Sequence, residues 1–381
     1  VTDAAAVKSS AAELGFDLAA FTTVEPPAED RDFFLAWCRD GHAADMAWLS
    51  RDPARRAVPR NLLPEALTVV TLGVSYFQGP LPEAPMAPAG RVARYAWGED
   101  YHDVIEKRLA AFAERLRVLL GADLRVRSAL DAQPLLERAF ARRAGLGFAG
   151  KNTNLIAPRA GSWIFLTELL IDRALPPDAP VAQGCGECTQ CQTACPTDAL
   201  RTPYRLDARA CIAYHTIENR GAIPREIRAK LGPWLFGCDD CQDACPYNAR
   251  AKETLWPEFR AERGTGPWVP LEDVLVLDTP EKFRARFRGT PLLRAKRAGL
   301  VRNACLLAGG GLRPVSARLH ERLVERLRHD VEPVVRGHAA WALGRQRSFG
   351  PLEAALSAET DATVLGEVRD ALAEARDGAA A

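Results

Sequence analysis

Ten cysteines occur in this chain of 381 residues, and eight of them fall between positions 185 and 245. The stretch CGECTQCQTACP sets Cys185, Cys188, Cys191 and Cys195 at spacings of three, three and four, closed by a proline. Short loops of this kind let successive thiolates reach one small iron–sulfur cubane, while the following turn carries the fourth ligand to a neighbour. A second run, CDDCQDACP, gives Cys238, Cys241 and Cys245, again before a proline, and is one short. Cys211, in CIAYHTIENRG, supplies the missing member across a long insertion. Eight thiolates complete two four-cysteine shells, enough for two [4Fe-4S] clusters that move electrons one at a time. Zinc is the competing reading of the CxxC pairs; the third cysteine at the same short spacing and the repeated Cys-Pro favour clusters.

In two-cluster ferredoxins the fourth cysteine of each run ligates the other cluster. That rule assigns Cys185, Cys188, Cys191 and Cys245 to one cluster, and Cys195, Cys211, Cys238 and Cys241 to the other. Cys38 and Cys305 stand apart and read as small buried apolar residues. Clustered cysteines at ligand spacings, rather than a scattered disulfide framework, suit a reducing compartment.

The elements that position these residues show in the hydrophobic pattern. LTVVTLGVSY (67–76) and SWIFLTELLI (162–171) read as buried strands, and DVIEKRLAAFAERLRVLL (103–120) as an amphipathic helix, so residues 1–175 form an α/β domain. The prolines of RALPPDAP mark its end, and a cysteine-rich module follows over 176–255. From 256 to 381 come a linker and alanine- and leucine-rich helices. VRNACLLAG, VRGHAAWALG and VRDALAEA begin 34 and 33 residues apart, at Val301, Val335 and Val368, which points to HEAT-like helical repeats. GLGFAGKN (145–152) matches two phosphate-loop patterns on paper, but a helix-like segment precedes it and Asn152 stands where a P-loop needs Ser or Thr. Its glycines read instead as backbone turns that open space for a ligand.

A composition of 48% hydrophobic and 26% charged residues is that of an ordinary soluble protein. No apolar run reaches the roughly 20 residues of a membrane span, and no signal peptide is visible, so a cytoplasmic protein with no membrane partner is expected. Net charge is only +1, yet 282–302 contains Lys282, Arg284, Arg286, Arg288, Arg294, Lys296, Arg297 and Arg302 with no acid, a stretch suited to a phosphate backbone.

DAQPLLERAFARRAGLGFAGKNTNLI (131–156), the double cysteine run, CIAYHTIENRG (211–221) and the HEAT-like tail together resemble the epoxyqueuosine reductase family over nearly the whole chain. The resemblance implies a nitroreductase-like cobalamin domain, a two-cluster ferredoxin-like module, kinship with reductive dehalogenases, and tRNA carrying epoxyqueuosine as substrate. Electrons from an external donor would pass through the clusters to cobalamin, giving cob(I)alamin, and the epoxide oxygen would be removed to leave queuosine. It further implies a monomer whose basic stretch, with Lys282, Arg284, Arg286, Arg288, Arg294, Lys296 and Arg297, meets RNA phosphates.

Breaking an epoxide C–O bond requires a proton donor beside the reacting centre. Asp131, in the phrase DxxPLLER, matches that acid, with a pKa expected to be raised by burial against a corrin and a desolvated substrate; read without the resemblance, it is a helix N-cap. Arg138, seven residues on and placed on the same helix face, is a candidate to hold substrate, as are Asp100 and His102. Lys151, Asn152 and Thr153 resemble a cobalamin-contacting loop, and Arg55, Arg56, Tyr95, Tyr214 and Thr216 are further cofactor candidates. DYHDVI begins like a cobalamin DxHxxG motif, but Ile105 replaces its glycine, so His102 is not assigned as a cobalt ligand. Two other readings share features with this one. A reductive dehalogenase would have no purpose for the basic helical tail, and a non-catalytic electron-transfer module would leave Asp131 a mere cap.

Overall fold

The computed structural model describes residues 3–310 and 316–377. They divide into two compact units, each continuous in space but not in sequence. The first gathers the residues up to Gly79, Glu99–Arg209 and Asp239–Arg260; the second gathers Pro80–Gly98, Ala210–Cys238 and the residues from Ala261 onward. This division into two units cuts across the expected borders at 175 and 255. Among the described residues the cysteine segment offers only short helices, none longer than the six residues of Ile212–Ile217, too little to close a core of its own, and it is divided between the units.

The first unit is built on an antiparallel sheet of four strands: β1 (Leu18–Thr23), β2 (Thr68–Ser75), β3 (Val126–Ala129) and β4 (Ile164–Ile171), in the order β1-β2-β4-β3. The two apolar runs singled out in the sequence are its central strands. Every residue of β2 is buried, which is why that run shows no alternation. Helix α1 (Tyr101–Leu120) buries Val104, Ile105, Leu109, Phe112 and Leu116 on one stripe, and Asp100 caps it by accepting the His102 amide at 3.1 Å. Helix α2 (Glu137–Arg143) lies on the sheet, with Phe140 packed among Val69, Ala129 and Leu170.

In the second unit, strand Ala89–Val92 runs parallel to Trp234–Phe236 and antiparallel to Trp268–Pro270. Its helices α3 (Lys296–Gly309), α4 (Ala317–His329), α5 (Pro333–Arg345), α6 (Phe349–Ala358) and α7 (Ala362–Asp377) form the C-terminal helical region. The three repeated phrases fall on α3, α5 and α7, while α4 and α6 alternate between them. A Cβ on Gly309 would stand 2.6 Å from Ala342 Cα, and one on Gly344 2.8 Å from the Ala371 backbone, so the glycine that ends each of the first two phrases lets its helix touch the next repeat helix. Among the described residues no helix is long and apolar enough to cross a membrane.

Candidate active site and cluster ligands

The two cysteine runs fold alike. In each, the second CxxC cysteine lies in a four-residue helix whose third residue donates to the carbonyl just before it: Gln192 N to Thr189 O at 2.9 Å, and Gln242 N to Asp239 O at 2.8 Å. The same glutamine carbonyls then accept the amides of Cys195 and Cys245 at 3.2 and 3.0 Å, turning the last cysteine of each run away from its neighbours. Cys245 consequently joins Cys185, Cys188 and Cys191 around a single cavity, also lined by Lys151, Asn152, Ile156, Pro246 and Tyr247. Burial, and then the facing thiols of Cys185, Cys245 and Cys188, push the Cys191 thiol above its ordinary pKa. A positively charged cluster core would relieve that mutual repulsion. Among the described residues no three His, Cys, Asp or Glu side chains close on one point as a single metal ion demands; the four thiols stand around a space instead.

The GKNT turn supports this cavity from one side. The Lys151 amide donates to Cys185 Sγ at 3.4 Å, Lys151 Nζ to Gly186 O at 2.7 Å, and Asn152 Nδ2 to Cys241 O at 3.2 Å. Lys151 and Asn152, expected on a corrin, are thus held by the cysteine loops. The glycines before them serve protein contacts too. A Cβ on Gly145 (φ +82°) would strike the Ala179 carbonyl, and one on Gly147 the Ile156 carbonyl, so close backbone approach, rather than space for a ligand, explains both.

Thr153, at φ +68°, ends the turn, and its carbonyl accepts Arg138 Nη1 at 3.1 Å. Arg138 is the second residue of α2, seven residues after Asp131. Asp131 is not the N-cap that its sequence position suggests. Asp131 sits at φ +48° beyond the end of β3, α2 begins only at Glu137, and Leu136 occupies the cap position, so Asp131 and Arg138 share no helix face.

Around Asp131 the polar groups converge. The Tyr101 hydroxyl donates to Asp131 Oδ2, and His102 Nε2 lies 3.5 Å from the same oxygen. His102 Nδ1 is 2.8 Å from Asp100 Oδ1, and the Tyr101 ring stacks on Phe165 with centroids 4.5 Å apart. Burial works to raise the Asp131 carboxyl, but hydrogen bonds from His102 and Tyr101 outweigh it and hold the group below the usual carboxylate range. The raised pKa expected from sequence belongs to the site covered by corrin and substrate; uncovered, the carboxyl is held low. Burial likewise opposes charge on His102, yet Asp100 and Asp131 overcome it and lift the imidazole to about 9. Arg56 completes the cluster: its guanidinium lies over Trp48, 5.3 Å from the ring, and is lowered by burial while Glu137 and Asp131 favour its charge. Arg55 is exposed.

Three residues here were missed. Tyr101 sat unremarked beside His102, Glu137 accepts the Asp131 amide, and Glu168 is an acid in the middle of apolar β4. The last could have been found, since a lone charge inside a buried strand is rare.

Tyr95 and Tyr214 belong to the second unit, Tyr95 with its ring 6.0 Å from Phe236 and Tyr214 edge-on to His215. Thr216 is fully buried, its hydroxyl donating to Ile212 O at 2.8 Å and accepting the Gly237 amide at 3.0 Å; it anchors the residue before Cys238 and has no surface for a cofactor. The basic stretch is also less free than its sequence suggests. Lys282 pairs with Asp278, Arg284 with Glu281, Arg286 with Asp273 and Arg294 with Glu218, at 2.6 to 3.3 Å. Arg297 is buried against Asp330 at 2.7 Å, together with Arg326, and Arg302 is buried on the carbonyls of His215, Asn219 and Gly221, so neither can face RNA. Arg288 and Lys296 are exposed and have no acidic partner among the described residues.

The four thiols of Cys185, Cys188, Cys191 and Cys245 around one cavity, with a hydrogen-bonded aspartate in the same unit, fit an iron–sulfur oxidoreductase. A family model described as "4Fe-4S double cluster binding domain" matches residues 184–248, and one described as "Epoxyqueuosine reductase QueG, DUF1730" matches 56–132. The epoxyqueuosine reductase of Xanthomonas campestris pv. campestris is 41% identical over 90% of this chain and 96% of its own. A crystal structure of epoxyqueuosine reductase with a tRNA-Tyr epoxyqueuosine-modified stem loop superposes with a TM-score of 0.89 at 30% identity, covering 98% of each chain. A structure from Bacillus subtilis, in which the catalytic aspartate loop is swung out of the active site, gives 0.87 at 30% identity, covering 97% and 98%. The chain belongs to the epoxyqueuosine reductase family.

Proposed function

We propose that this chain reduces epoxyqueuosine to queuosine at the wobble position of tRNA, with Asp131 as the acid. The reaction consumes two electrons and two protons: both C–O bonds of the epoxide break, a C=C bond forms, and the oxygen leaves as water. Two [4Fe-4S] clusters carry the electrons, one on Cys185, Cys188, Cys191 and Cys245 and the other on Cys195, Cys211, Cys238 and Cys241. An external donor supplies them, and the chain acts as a monomer in the cytoplasm. The carrying observation is the convergence of Tyr101 and His102 on one oxygen of Asp131. A loop aspartate is catalytic in the Bacillus subtilis relative, and Asp131 is the loop aspartate at this site.

Cobalamin fits this site through its exposed polar face, since the side chains of Asp131 and His102 remain 54% and 41% accessible. Thr153, Arg55 and Arg56 are the residues to meet the corrin, whose domain would take the nitroreductase-like form. Bound cobalamin supplies a strongly reducing cobalt centre that single electrons can recharge. Covering the face desolvates Asp131 and favours its neutral form. His102, charged below about 9, then holds a proton 3.5 Å from Asp131 Oδ2, ready to replace the one given to the leaving oxygen. Arg138 orients substrate, and Arg288 and Lys296 meet backbone phosphates.

The test is anaerobic reconstitution with iron, sulfide and cobalamin, then turnover of an epoxyqueuosine stem-loop. Asp131→Asn should keep both clusters and cobalamin and lose turnover by roughly 10²–10⁴-fold, the range of a general acid. Full activity in that variant removes Asp131 from the role.

A further inference from the structure

Strand β4 carries one acid among apolar residues. Glu168 is 0% exposed, and neither carboxyl oxygen has a hydrogen-bond partner among the described residues. It lies opposite Ala129 of β3 and so shares its face, as does Leu170 two residues on. That face packs against α2 through Phe140, which places Glu168 beneath the helix that starts with Glu137. Glu137 Oε1 accepts the Asp131 amide at 2.5 Å. This bond holds the residue at φ +48°, a conformation that a non-glycine residue adopts only when its surroundings impose it.

We propose that Glu137 is a positioning residue that latches the Asp131 loop through its amide, and that Glu168 is the uncharged acid beneath it that lets Glu137 occupy that place. The proposal rests on the reading of Asp131 as the reacting acid. A carboxylate buried without donors is strongly disfavoured, so Glu168 keeps its proton; burial, and then the nearness of Glu137, raise it well above the ordinary range. Glu137 keeps part of its surface at solvent, but its carboxyl is surrounded by protein. Burial, and then the charge of Asp131, bring it to about 8, against the pull of Arg138 and Arg56. At neutral pH the latch is therefore a neutral carbonyl accepting an amide. Above about pH 8 Glu137 ionises beside Asp131 and the loop loosens.

Hydrogen exchange over residues 130–136 of the reconstituted holoprotein reads the latch directly. Glu137→Ala should exchange about tenfold faster at neutral pH, while Glu137→Gln, which keeps the acceptor, should match the wild type. Beyond the intrinsic rate, wild-type exchange should accelerate above about pH 8 and that of Glu137→Gln should not. Glu168→Gln should remove one infrared C=O stretch of a protonated carboxyl and leave loop exchange unchanged; Glu168→Met, apolar and close in volume, serves if the amide is not tolerated. In turnover, Glu137→Ala should lose kcat with KM preserved, and Glu137→Gln should restore it. Unchanged exchange in Glu137→Ala, or a wild-type spectrum without that carboxyl band, overturns the latch. An active Asp131→Asn would instead remove the acid reading while leaving the exchange results intact.

Discussion

The Tyr101 hydroxyl and the His102 ring, adjacent in sequence, reach the same oxygen of Asp131, which lies thirty positions beyond Tyr101. They can do so because both sit in the first turn of α1, where Asp100 caps the helix and also orients His102 through Nδ1. One donor is neutral and one carries a titrating proton, so the two can be separated by experiment.

Tyr101→Phe removes the neutral donor and leaves the stack on Phe165. The carboxyl of Asp131 should then rise toward its ordinary range, so the alkaline limb of the kcat–pH profile should move to higher pH while the maximal rate falls several-fold as the acid loses its aim. A limb that stays put would remove Tyr101 from the environment of the acid.

His102 links this site to stability. Its folded pKa of about 9 lies above the ordinary 6.5, so its contribution is fully present below 6.5 and is lost as pH rises through about 9. With 41% of the side chain exposed, solvent screening keeps that contribution small. The difference in Tm between wild type and His102→Gln should therefore be measurable at about pH 6 and vanish by about pH 9.5. An equal difference at both values would mean that packing, not charge, is what the substitution removes.

The grouping of Cys245 with Cys185, Cys188 and Cys191 was legible because short loops leave few geometries, and the four line one cavity. The central strands were legible for a similar reason, as continuous apolar runs with β-branched residues. The candidate acid site was legible only in part. Asp131 could be named from its phrase, but its neighbours Tyr101 and Glu137 are brought to it by a bend at positive φ, and nothing in a residue's identity announces such a bend when it is not glycine. Charge misled most of all. The basic stretch looked one-signed because Glu218, Asp273, Asp278 and Asp330, which neutralise it, lie outside its boundaries in sequence and inside them in space.

Crossed ligation makes a specific statement about iron. Cys245→Ala, at the end of the second run, should damage the cluster held by the first run's Cys185, Cys188 and Cys191. Iron should fall from about eight to about four atoms per chain, and the surviving signal should be the same as that left by Cys185→Ala. Two different surviving spectra from these variants would show that the runs do not exchange their last ligands.

Arg288 and Arg297 lie nine positions apart in the same basic stretch and should behave oppositely. Arg288 is exposed and lacks an acidic partner among the described residues, so Arg288→Ala should leave the fold intact and reduce the slope of log K against log salt for stem-loop RNA by about one. Lys296→Ala should do the same. Arg297 is held between Asp330 and the Leu277 carbonyl, and Arg326 shares Asp330. Arg297→Ala would strand part of a buried charge network at a cost of about 3–5 kcal/mol, visible in urea unfolding, and any weakening of RNA binding should follow the loss of folded protein with the salt slope unchanged. A lowered slope in folded Arg297→Ala protein would place that guanidinium on the RNA after all, and would require α3 to rearrange when the substrate binds.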